Sequence, residues 1–352
     1  MPLSERENYL RTVRFEGGEW IPMHVGFLGA SWAMWREEME EVVLRHPTIF
    51  PNFRKGQINF DEMQFGPAYR EGERYTDNWG CLWENLHAGM EGQIKVHPLG
   101  DDAAFDTYQA PDPLKYSERG ERGDWNEIKR RIEEQRTRGE LTHGGGDRYF
   151  ERLHFLRGFE NFMMDLALKS PQLPRLIDIV LQHNLKLVRQ WLTIGVDVMG
   201  FGDDLGTQRQ AMVSPAKFRK WLAPGYAAQM QPCRQAGSEV RFHCDGYIME
   251  LMDILRECGV TIINPQDLCN GIDNLAREVK GKMCISLDVD RQKIVPFGTR
   301  SEIRELIKEE VMKLGSPQGG LMLGCEIDPP TPPENVDAVC CAMEEFRTYW
   351  WQ

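Results

Sequence analysis

The residues most able to do chemistry follow directly on a strand at residues 239–246. Alternating apolar side chains lead into His243, Cys244 and Asp245 before a glycine breaks the strand. Successive strand residues point to opposite faces, so we expect His243 and Asp245 on one face and Cys244 on the other. An imidazole and a carboxylate on one face form the start of a metal site.

The same pattern, an apolar strand that ends in polar side chains, recurs along the C-terminal half of the chain. In a parallel barrel the carboxyl ends of the strands face one common mouth, where active sites lie. The candidates from five strand ends are Asp203, Asp204 and Gln208; His243 and Asp245; Asn264 and Gln266; Asp288 and Asp290; and Cys325 and Glu326. Each carboxylate has an alternative role as a helix N-cap or as the partner of a neighbouring arginine.

Three of these candidates have the chemistry of a zinc site. Histidine, aspartate and cysteine all bind zinc, and three protein ligands with a fourth position open is the catalytic arrangement. We therefore predict that His243, Asp245 and Cys325 hold zinc if the fifth and eighth strand ends face each other. Cys244 replaces Asp245 as ligand if a bulge reverses the faces, and His24, at the end of the first strand, is expected to reach the mouth.

The elements that must position these residues alternate between strand and helix after about residue 140. Apolar strands that alternate with helices indicate a parallel sheet covered on both faces. Counting residues 21–25 and 94–96, we expect about eight strands, which favours an α/β fold of the (β/α)8 TIM-barrel type. Residues 1–352 are expected to form one domain, with an aromatic-rich N-terminal elaboration and the first strands in residues 1–140 and regular β/α units in residues 141–352.

Local signals and composition add detail to this picture. Ser4 and Glu7 have the spacing of a capping box that opens a first helix. The 42 Lys and Arg residues against 54 Asp and Glu residues give a net charge of −12, without a basic block that would bind nucleic acid. No leader pattern or apolar span of membrane length is visible, so we expect a cytoplasmic protein without a membrane or nucleic-acid partner.

Several motifs in the C-terminal half resemble the uroporphyrinogen decarboxylase superfamily, and within it the branch of cobalamin-dependent methyltransferases. They are Gly-Asp-Asp-Leu-Gly-Thr-Gln at residues 202–208, His-Cys-Asp-Gly at residues 243–246, Asp-Arg-Gln-Lys-Ile-Val-Pro-Phe-Gly-Thr at residues 290–299 and Pro-Pro-Glu-Asn at residues 332–335. The resemblance covers about residue 150 to the C-terminus, and Tyr-Thr-Asp-Asn-Trp-Gly at residues 75–80 matches more loosely. It implies a (β/α)8 barrel.

The resemblance also implies a ligand set. Zinc methyltransferases of this branch carry His-x-Cys at the fifth strand and Gly-Cys near the eighth, and His243 and Cys325 match those positions. Asp245 stands where the second ligand would be cysteine, which gives a harder, less electron-rich set. Asp245 is then either the third ligand or a hydrogen-bond partner of His243.

The function implied is transfer of a methyl group between a small methylated substrate and a corrinoid carried by a separate protein, with zinc as Lewis acid. Asp203 or Asp204 would orient the substrate or shuttle a proton, and the other expected substrate contacts are His24, Gln208, Asn264 and Glu326. A partner must supply the corrinoid, because the sequence lacks the Asp-x-His-x-x-Gly motif of corrinoid carriers. Aromatic residues such as Trp32, Trp35, Trp79 and Trp83 either wall a pocket for an aryl methyl ether, as in an O-demethylase, or form ordinary core.

Two alternatives remain at this point. A uroporphyrinogen decarboxylase holds a substrate with many carboxylates through an arginine-rich N-terminal loop, whereas residues 21–35 contain no Arg or Lys. A non-catalytic barrel that binds a corrinoid or another small ligand would have no need of zinc. The methyl donor, the direction of transfer and the oligomeric state stay open.

Overall fold

The computed structural model describes residues 2–351, so Met1 and Gln352 of the predicted single domain lie outside the described residues. The strands are β1 (Met23–Phe27), β2 (Arg74–Thr76), β3 (Leu82–Glu84), β4 (Gln93–Val96), β5 (His143–Gly145), β6 (Val198–Gly202), β7 (Glu239–Cys244), β8 (Ile262–Pro265), β9 (Cys284–Asp288) and β10 (Leu321–Ile327). Among residues 2–351, none of the helices combines the length and the apolar character that crossing a membrane requires.

Helices follow most of the strands. They are α1 (Glu5–Arg14), α2 (Gly29–Arg45), α3 (Trp125–Thr137), α4 (Phe150–Arg157), α5 (Phe159–Leu168), α6 (Gln172–Ile194), α7 (Pro215–Lys217), α8 (Ala223–Gln235), α9 (Met252–Cys258), α10 (Asp267–Asn270), α11 (Ile272–Glu278), α12 (Ile294–Phe297), α13 (Arg300–Leu314) and α14 (Pro333–Phe346). A π-helical turn, Phe218–Leu222, continues α7 into α8. Short 3-10 turns lie at Phe60–Glu62, Pro67–Tyr69, Asp102–Asp106, Met249–Leu251 and Tyr349–Trp351.

The chain divides into two compact units, and the first contains both chain ends. It consists of the chain up to Gly66, Ala88–Met90 and the chain from Ile262 onward. Its parallel sheet has the order β1-β10-β9-β8, and the pairing runs from Met23 opposite Leu323 to Phe27 opposite Ile327. β8, β9 and β10 are largely buried, as expected for a parallel sheet covered by helices, whereas in β1 only Val25 is buried.

The second unit consists of Pro67–His87 and Glu91–Thr261. Its parallel sheet has the order β5-β6-β7, with Gly202 at the end of β6 opposite His243 in β7. A separate antiparallel sheet is formed by β2, β3 and β4, with β3 in the centre. Trp83 of β3 is buried and packs edge-on against Phe155 of α4, with ring centroids 5.2 Å apart.

The fold class predicted from the sequence is confirmed: parallel strands alternate with helices in both units, as in the TIM-barrel type of α/β protein. The α1 capping box of Ser4 and Glu7 is also formed. One strand assignment is wrong. Residues 94–96 lie in β4 of the antiparallel sheet and not in the parallel sheet, so the described residues contribute seven parallel strands rather than about eight.

A further feature is the aromatic segment after β1. Within the aromatic-rich N-terminal elaboration, Gly29–Arg45 forms α2 with a break at Arg36, whose φ is 43°. The rings of this region pack on one another within the first unit: Trp32 stacks on Phe53 at 5.8 Å and contacts Phe27 at 4.8 Å. Trp32 and Phe27 thus take part in an aromatic cluster of the first unit.

Candidate metal centre

The end of β7 orients its polar residues as strand geometry predicts. His243 and Asp245 are half-buried, and His243 Nε2 lies 3.4 Å from Asp245 Oδ1. Cys244 is fully buried on the opposite face, where its sulfur accepts a hydrogen bond from the Leu205 N–H at 3.2 Å. Burial raises the pKa of the Cys244 thiol well above its usual value. The predicted alternation therefore holds, without the bulge that would exchange Cys244 for Asp245.

A third ligand group comes from the segment after β6. One oxygen or nitrogen each of Asp204, His243 and Asp245 lies within 4.8 Å of the other two, and all three residues are half-buried. The Asp245 N–H donates to Asp204 Oδ1 at 3.1 Å. Burial raises the pKa of the Asp204 carboxyl, and the nearby charge of Asp245 raises it further. Two carboxylates held this close repel each other unless a cation lies between them.

Two glycines bring the segments after β6 and β7 together. A Cβ on Gly206 would lie 2.5 Å from the Tyr247 carbonyl oxygen, and a Cβ on Gly246 would lie 2.4 Å from the Gly206 carbonyl oxygen. Gly246 also has φ +80°, which side chains of L-residues rarely adopt. The Tyr247 N–H donates to the Thr207 carbonyl at 2.7 Å. This close backbone approach sets the spacing between Asp204 and Asp245.

Asp203 has a different environment from its neighbour. Its carboxylate accepts from the backbone N–H groups of Tyr149, Phe150 and Glu151 at 2.9–3.1 Å and from the Tyr226 hydroxyl at 2.7 Å. Burial raises the pKa of Asp203 to about 6, while these donors favour the ionised form. Asp203 accepts hydrogen bonds from the backbone N–H groups at the start of α4, which matches the alternative role of a helix N-cap. Asp204 is the member of the pair that faces the cluster.

Glu151, in the first turn of α4, was not among the predicted site residues. Its Oε2 lies 3.4 Å from the Asp204 N–H, and its Oε1 lies 3.0 Å from Arg148. Burial raises the pKa of Glu151 to about 9, although the charge of Arg148 opposes the shift. Nothing in the sequence marks this residue, because its contact with Asp204 depends on the tertiary packing of α4 against the end of β6.

Among the predicted site residues of the first unit are Cys325, Glu326, Asn264 and His24. Cys325 is buried at 2% exposure, with its sulfur 4.0 Å from the Val289 carbonyl, and burial raises its pKa well above the usual thiol value. Glu326, on the opposite face of β10, is half-buried, and a Cβ on Gly26 would touch its carboxylate. The Asn264 side chain donates to the Ser286 carbonyl at 2.6 Å, and His24 is exposed on β1.

The remaining strand-end candidates have structural surroundings. Gln208 is exposed in the loop after β6, and Asp290 accepts backbone N–H bonds around the start of α12. Asp288 lies 3.7 Å from Arg291. Asp267, next to the predicted Gln266, accepts the Asp290 N–H at 3.0 Å and faces the fully buried Glu310 of α13. Burial raises the pKa of Glu310 well above its usual value and that of Asp267 to about 6.

A cavity of about 380 Å³ lies in the second unit, beside Arg148. Three guanidinium groups and three carboxylates line it together with Tyr69 and Trp79. The charged residues are Arg119, Arg148, Arg152, Glu91, Glu118 and Asp147. The aromatic prediction is thus divided: Trp79 lines a cavity, while Trp32 lies in the cluster of the first unit.

The donor set of Asp204, His243 and Asp245 suits a zinc ion. One imidazole nitrogen and two carboxylate oxygens are accepted zinc ligands, and three protein ligands leave a fourth position for water or substrate. Such oxygen-rich sets also suit manganese or iron. The set differs from the predicted one in that Asp204 joins the cluster, while Cys325 stays a prediction from the sequence.

A second group with ligand chemistry contains His46, Asp337 and Cys341 in the first unit. There Asp337 already forms ion pairs with Arg45 at 3.0 Å and with Arg300. Two guanidinium charges beside the carboxylate oppose a cation, and His46 joins α2 to α14 through Asp337 instead. We therefore regard this group as an ion-pair network.

Comparison with known proteins gives one family match. A profile of the family described as uroporphyrinogen decarboxylase (URO-D) matches residues 154–346, more than half of the chain. Asp204, His243, Asp245 and Cys325 all fall within that match, and Glu151 lies just before it. The comparison with curated protein sequences gave no match.

Solved structures resemble this chain at low sequence identity. A methyltransferase from Methanosarcina mazei is 18% identical with a TM-score of 0.67, and the alignment covers 97% of this chain and 98% of that chain. D-psicose 3-epimerase in the presence of D-fructose has 8% identity and a TM-score of 0.41, with 64% and 83% covered. A B12-independent methionine synthase from Shewanella sp. W3-18-1 in complex with selenomethionine has 11% identity and a TM-score of 0.39, with 64% and 66% covered. The first likeness establishes the fold, and the other two are too low to support an argument.

Proposed function

This chain belongs to the uroporphyrinogen decarboxylase family, and we propose that it is a zinc-dependent methyltransferase acting between a small methylated substrate and a corrinoid on a partner protein. The observation that carries the proposal is the cluster of Asp204, His243 and Asp245, whose ligand atoms lie within 4.8 Å of one another. The fold shared with the Methanosarcina methyltransferase over 97% of this chain supports the same class of reaction.

In this proposal His243, Asp245 and Asp204 hold the metal. Bound zinc supplies Lewis acidity, which stabilises the negative charge that develops on the oxygen or sulfur losing its methyl group. The ionised carboxylates balance the charge of the divalent ion, and the neutral imidazole completes a three-residue set. Asp245 has a second use, because its position 3.4 Å from His243 Nε2 also lets it orient the ring.

The surrounding residues hold this set in position. Asp203 fixes the first turn of α4, and Glu151 in that turn accepts the Asp204 N–H. Arg148 in turn binds Glu151 at 3.0 Å. This hydrogen-bonded series lets the cluster keep its spacing while substrate enters and leaves.

A corrinoid-carrying protein is the proposed partner, since the sequence has no corrinoid-binding motif of its own. The proposed methyl donor is an aryl methyl ether, so the activity would be an O-demethylation. Purified protein is mixed with methylated substrates and reduced corrinoid protein, and methylcobalamin formation is followed by visible absorbance. Absence of methyl transfer for every oxygen, sulfur and nitrogen donor would count against the proposal.

Metal analysis separates the alternatives. About one zinc per chain is expected, and a barrel that only binds a corrinoid has no need of it. Cys325→Ala tests the ligand predicted from the sequence: equal zinc content in this variant and the wild type excludes Cys325. Uroporphyrinogen decarboxylation is disfavoured, because residues 21–35 provide no Arg or Lys to bind the substrate carboxylates.

A further inference from the structure

The cavity of the second unit contains one carboxylate held by two arginines. Glu91 Oε1 and Oε2 lie 3.0 and 2.9 Å from the two terminal nitrogens of Arg148, and Oε2 also lies 3.0 Å from Arg119 Nη2. Paired parallel contacts of this kind are how guanidinium groups recognise carboxylates. We call Arg119 and Arg148 together the guanidinium clamp.

The clamp is held in place by contacts other than Glu91. The Arg119 guanidinium lies 5.0 Å from the ring centroid of Tyr69 and 4.9 Å from that of Trp83, and Arg148 lies 5.6 Å from Phe155. Stacking of this kind fixes the plane of a guanidinium group and leaves its N–H edge free to bind. The clamp is therefore preorganised.

Besides Glu91, each arginine of the clamp has a second carboxylate neighbour. Arg148 binds Glu151 at 3.0 Å, and Arg119 Nε lies 3.0 Å from Glu118. That Nε–H is buried, yet within residues 2–351 it has no acceptor in hydrogen-bond geometry. The clamp thus has hydrogen-bonding capacity that Glu91 does not use fully.

Glu91 is the most exposed member of this group, although Arg148 and Arg119 hold its pKa below the usual value against the effect of burial. Its side chain is 36% exposed, whereas those of Arg119 and Arg148 are 14% and 33% exposed. Water solvates this partly exposed carboxylate as it leaves, and an incoming carboxylate remakes the same paired hydrogen bonds with the two arginines. An anionic ligand can therefore take its place.

We propose that the guanidinium clamp binds the carboxylate of the substrate and that the Glu91 carboxylate occupies the same place when substrate is absent. The substrate class is then an aryl methyl ether that bears a carboxylate. The inference rests on the proposed function for the methyl group and on the clamp for the carboxylate. Tyr69 and Trp79 line the same cavity and add apolar surface beside the clamp. Glu151 contacts Arg148 through one carboxylate oxygen and the Asp204 N–H through the other, so one residue separates the clamp from the metal-binding cluster.

The test compares two ligands of the same shape by titration calorimetry on the full-length protein without corrinoid. The probes are 4-methoxybenzoate and its neutral analogue 4-methoxybenzamide. We expect the acid to bind at least about tenfold more tightly, as charge-assisted paired hydrogen bonds require. Equal affinity for the acid and the amide overturns the proposal.

Variants locate the binding to the clamp. Arg119→Lys and Arg148→Lys keep the charge but lose the paired geometry, and each should weaken acid binding about tenfold. Glu91→Gln removes the competing carboxylate and should tighten acid binding. The control Arg130→Lys, an exposed arginine that pairs with Glu134, should change nothing. Weaker acid binding in Glu91→Gln overturns the proposal even if the arginine variants fold poorly.

The proposed carboxylate subsite and the proposed methyltransferase activity can fail independently of each other. Acid binding through the clamp without methyl transfer from any methoxybenzoate leaves the subsite standing and rejects the methyltransferase. Methyl transfer from neutral ethers, combined with no preference for the acid, rejects the subsite and keeps the methyltransferase.

Discussion

Asp204→Asn should have opposite effects on the metal-free and the metal-bound protein. In the metal-free protein Asp204 and Asp245 are two carboxylates with oxygens within 4.8 Å of each other. Coulomb's law gives their repulsion as about 1 kcal/mol at the dielectric constant of water and about 3 kcal/mol at an effective value of about 20. Both are half-buried, so we take about 1 kcal/mol as the gain in unfolding free energy, which raises the melting temperature by about 1–2 °C for a chain of this length.

The asparagine keeps the local structure of the segment. Its side-chain oxygen can still accept the Asp245 N–H that Asp204 accepts at 3.1 Å. Zinc at 100 times its dissociation constant should stabilise the wild type by about 2.7 kcal/mol. A variant with about 100-fold weaker zinc binding gains only about 0.4 kcal/mol at the same concentration.

The assay is thermal and denaturant unfolding with and without zinc, alongside Asp178→Asn as a matched control. Asp178 of α6 also accepts a side-chain hydrogen bond, from Gln182 at 3.0 Å, but is outside the cluster. The control should respond to zinc as the wild type does. A zinc-induced gain in Asp204→Asn equal to that of the wild type refutes ligation by Asp204, and a less stable metal-free variant refutes the repulsion argument.

Three further predictions concern single residues. Asp203→Asn should lower the unfolding free energy by roughly 2–4 kcal/mol, because an amide cannot accept all the hydrogen bonds that the carboxylate now accepts from backbone N–H groups and Tyr226. A loss below about 1 kcal/mol in urea unfolding contradicts the N-cap role. In the folded protein Glu310 keeps its proton at pH values where the same carboxyl group in the unfolded chain, with a pKa near 4.5, has lost it. The contribution of Glu310 to the unfolding free energy is therefore fully present at low pH and falls as the pH rises. The unfolding free energy of Glu310→Gln should fall less than that of the wild type as the pH rises above about 4.5, and parallel curves for the two proteins rule the explanation out. Zinc binding that is kept in Asp245→Cys and lost in Asp245→Asn supports ligation by Asp245. A zinc affinity that is only about 10–100-fold weaker in Asp245→Asn indicates instead that Asp245 orients His243.

Strand periodicity was sufficient to predict part of this site. Because side chains alternate along a strand, the common face of His243 and Asp245 and the opposite face of Cys244 follow from the order of residues alone. The same rule could not separate Asp203 from Asp204, since both follow β6 and only the contact with α4 decides which one is buried.

Other features depend on contacts between residues far apart in the chain. Glu151 reaches the cluster across 53 residues, and Glu91 meets Arg148 across 57. Neither pair has a sequence signature, because the local periods of helices and strands do not relate side chains that are so far apart in the chain. Residues 94–96 were misplaced for a related reason: a short alternating run suits a parallel or an antiparallel sheet equally well, and pairing with β3 decides between them.

The backbone contact between Gly206 and Gly246 makes these two positions sensitive to any mutation. Neither glycine has a side chain with which to touch a ligand, yet even a methyl group at either one would push the two loops apart. The separation of Asp204 and Asp245 would then change, and with it the fit of whatever ion they hold. A scan of every residue for loss of activity should therefore rank both glycines beside the acidic residues, and tolerance to substitution in this protein will be a poor guide to which residues contact substrate.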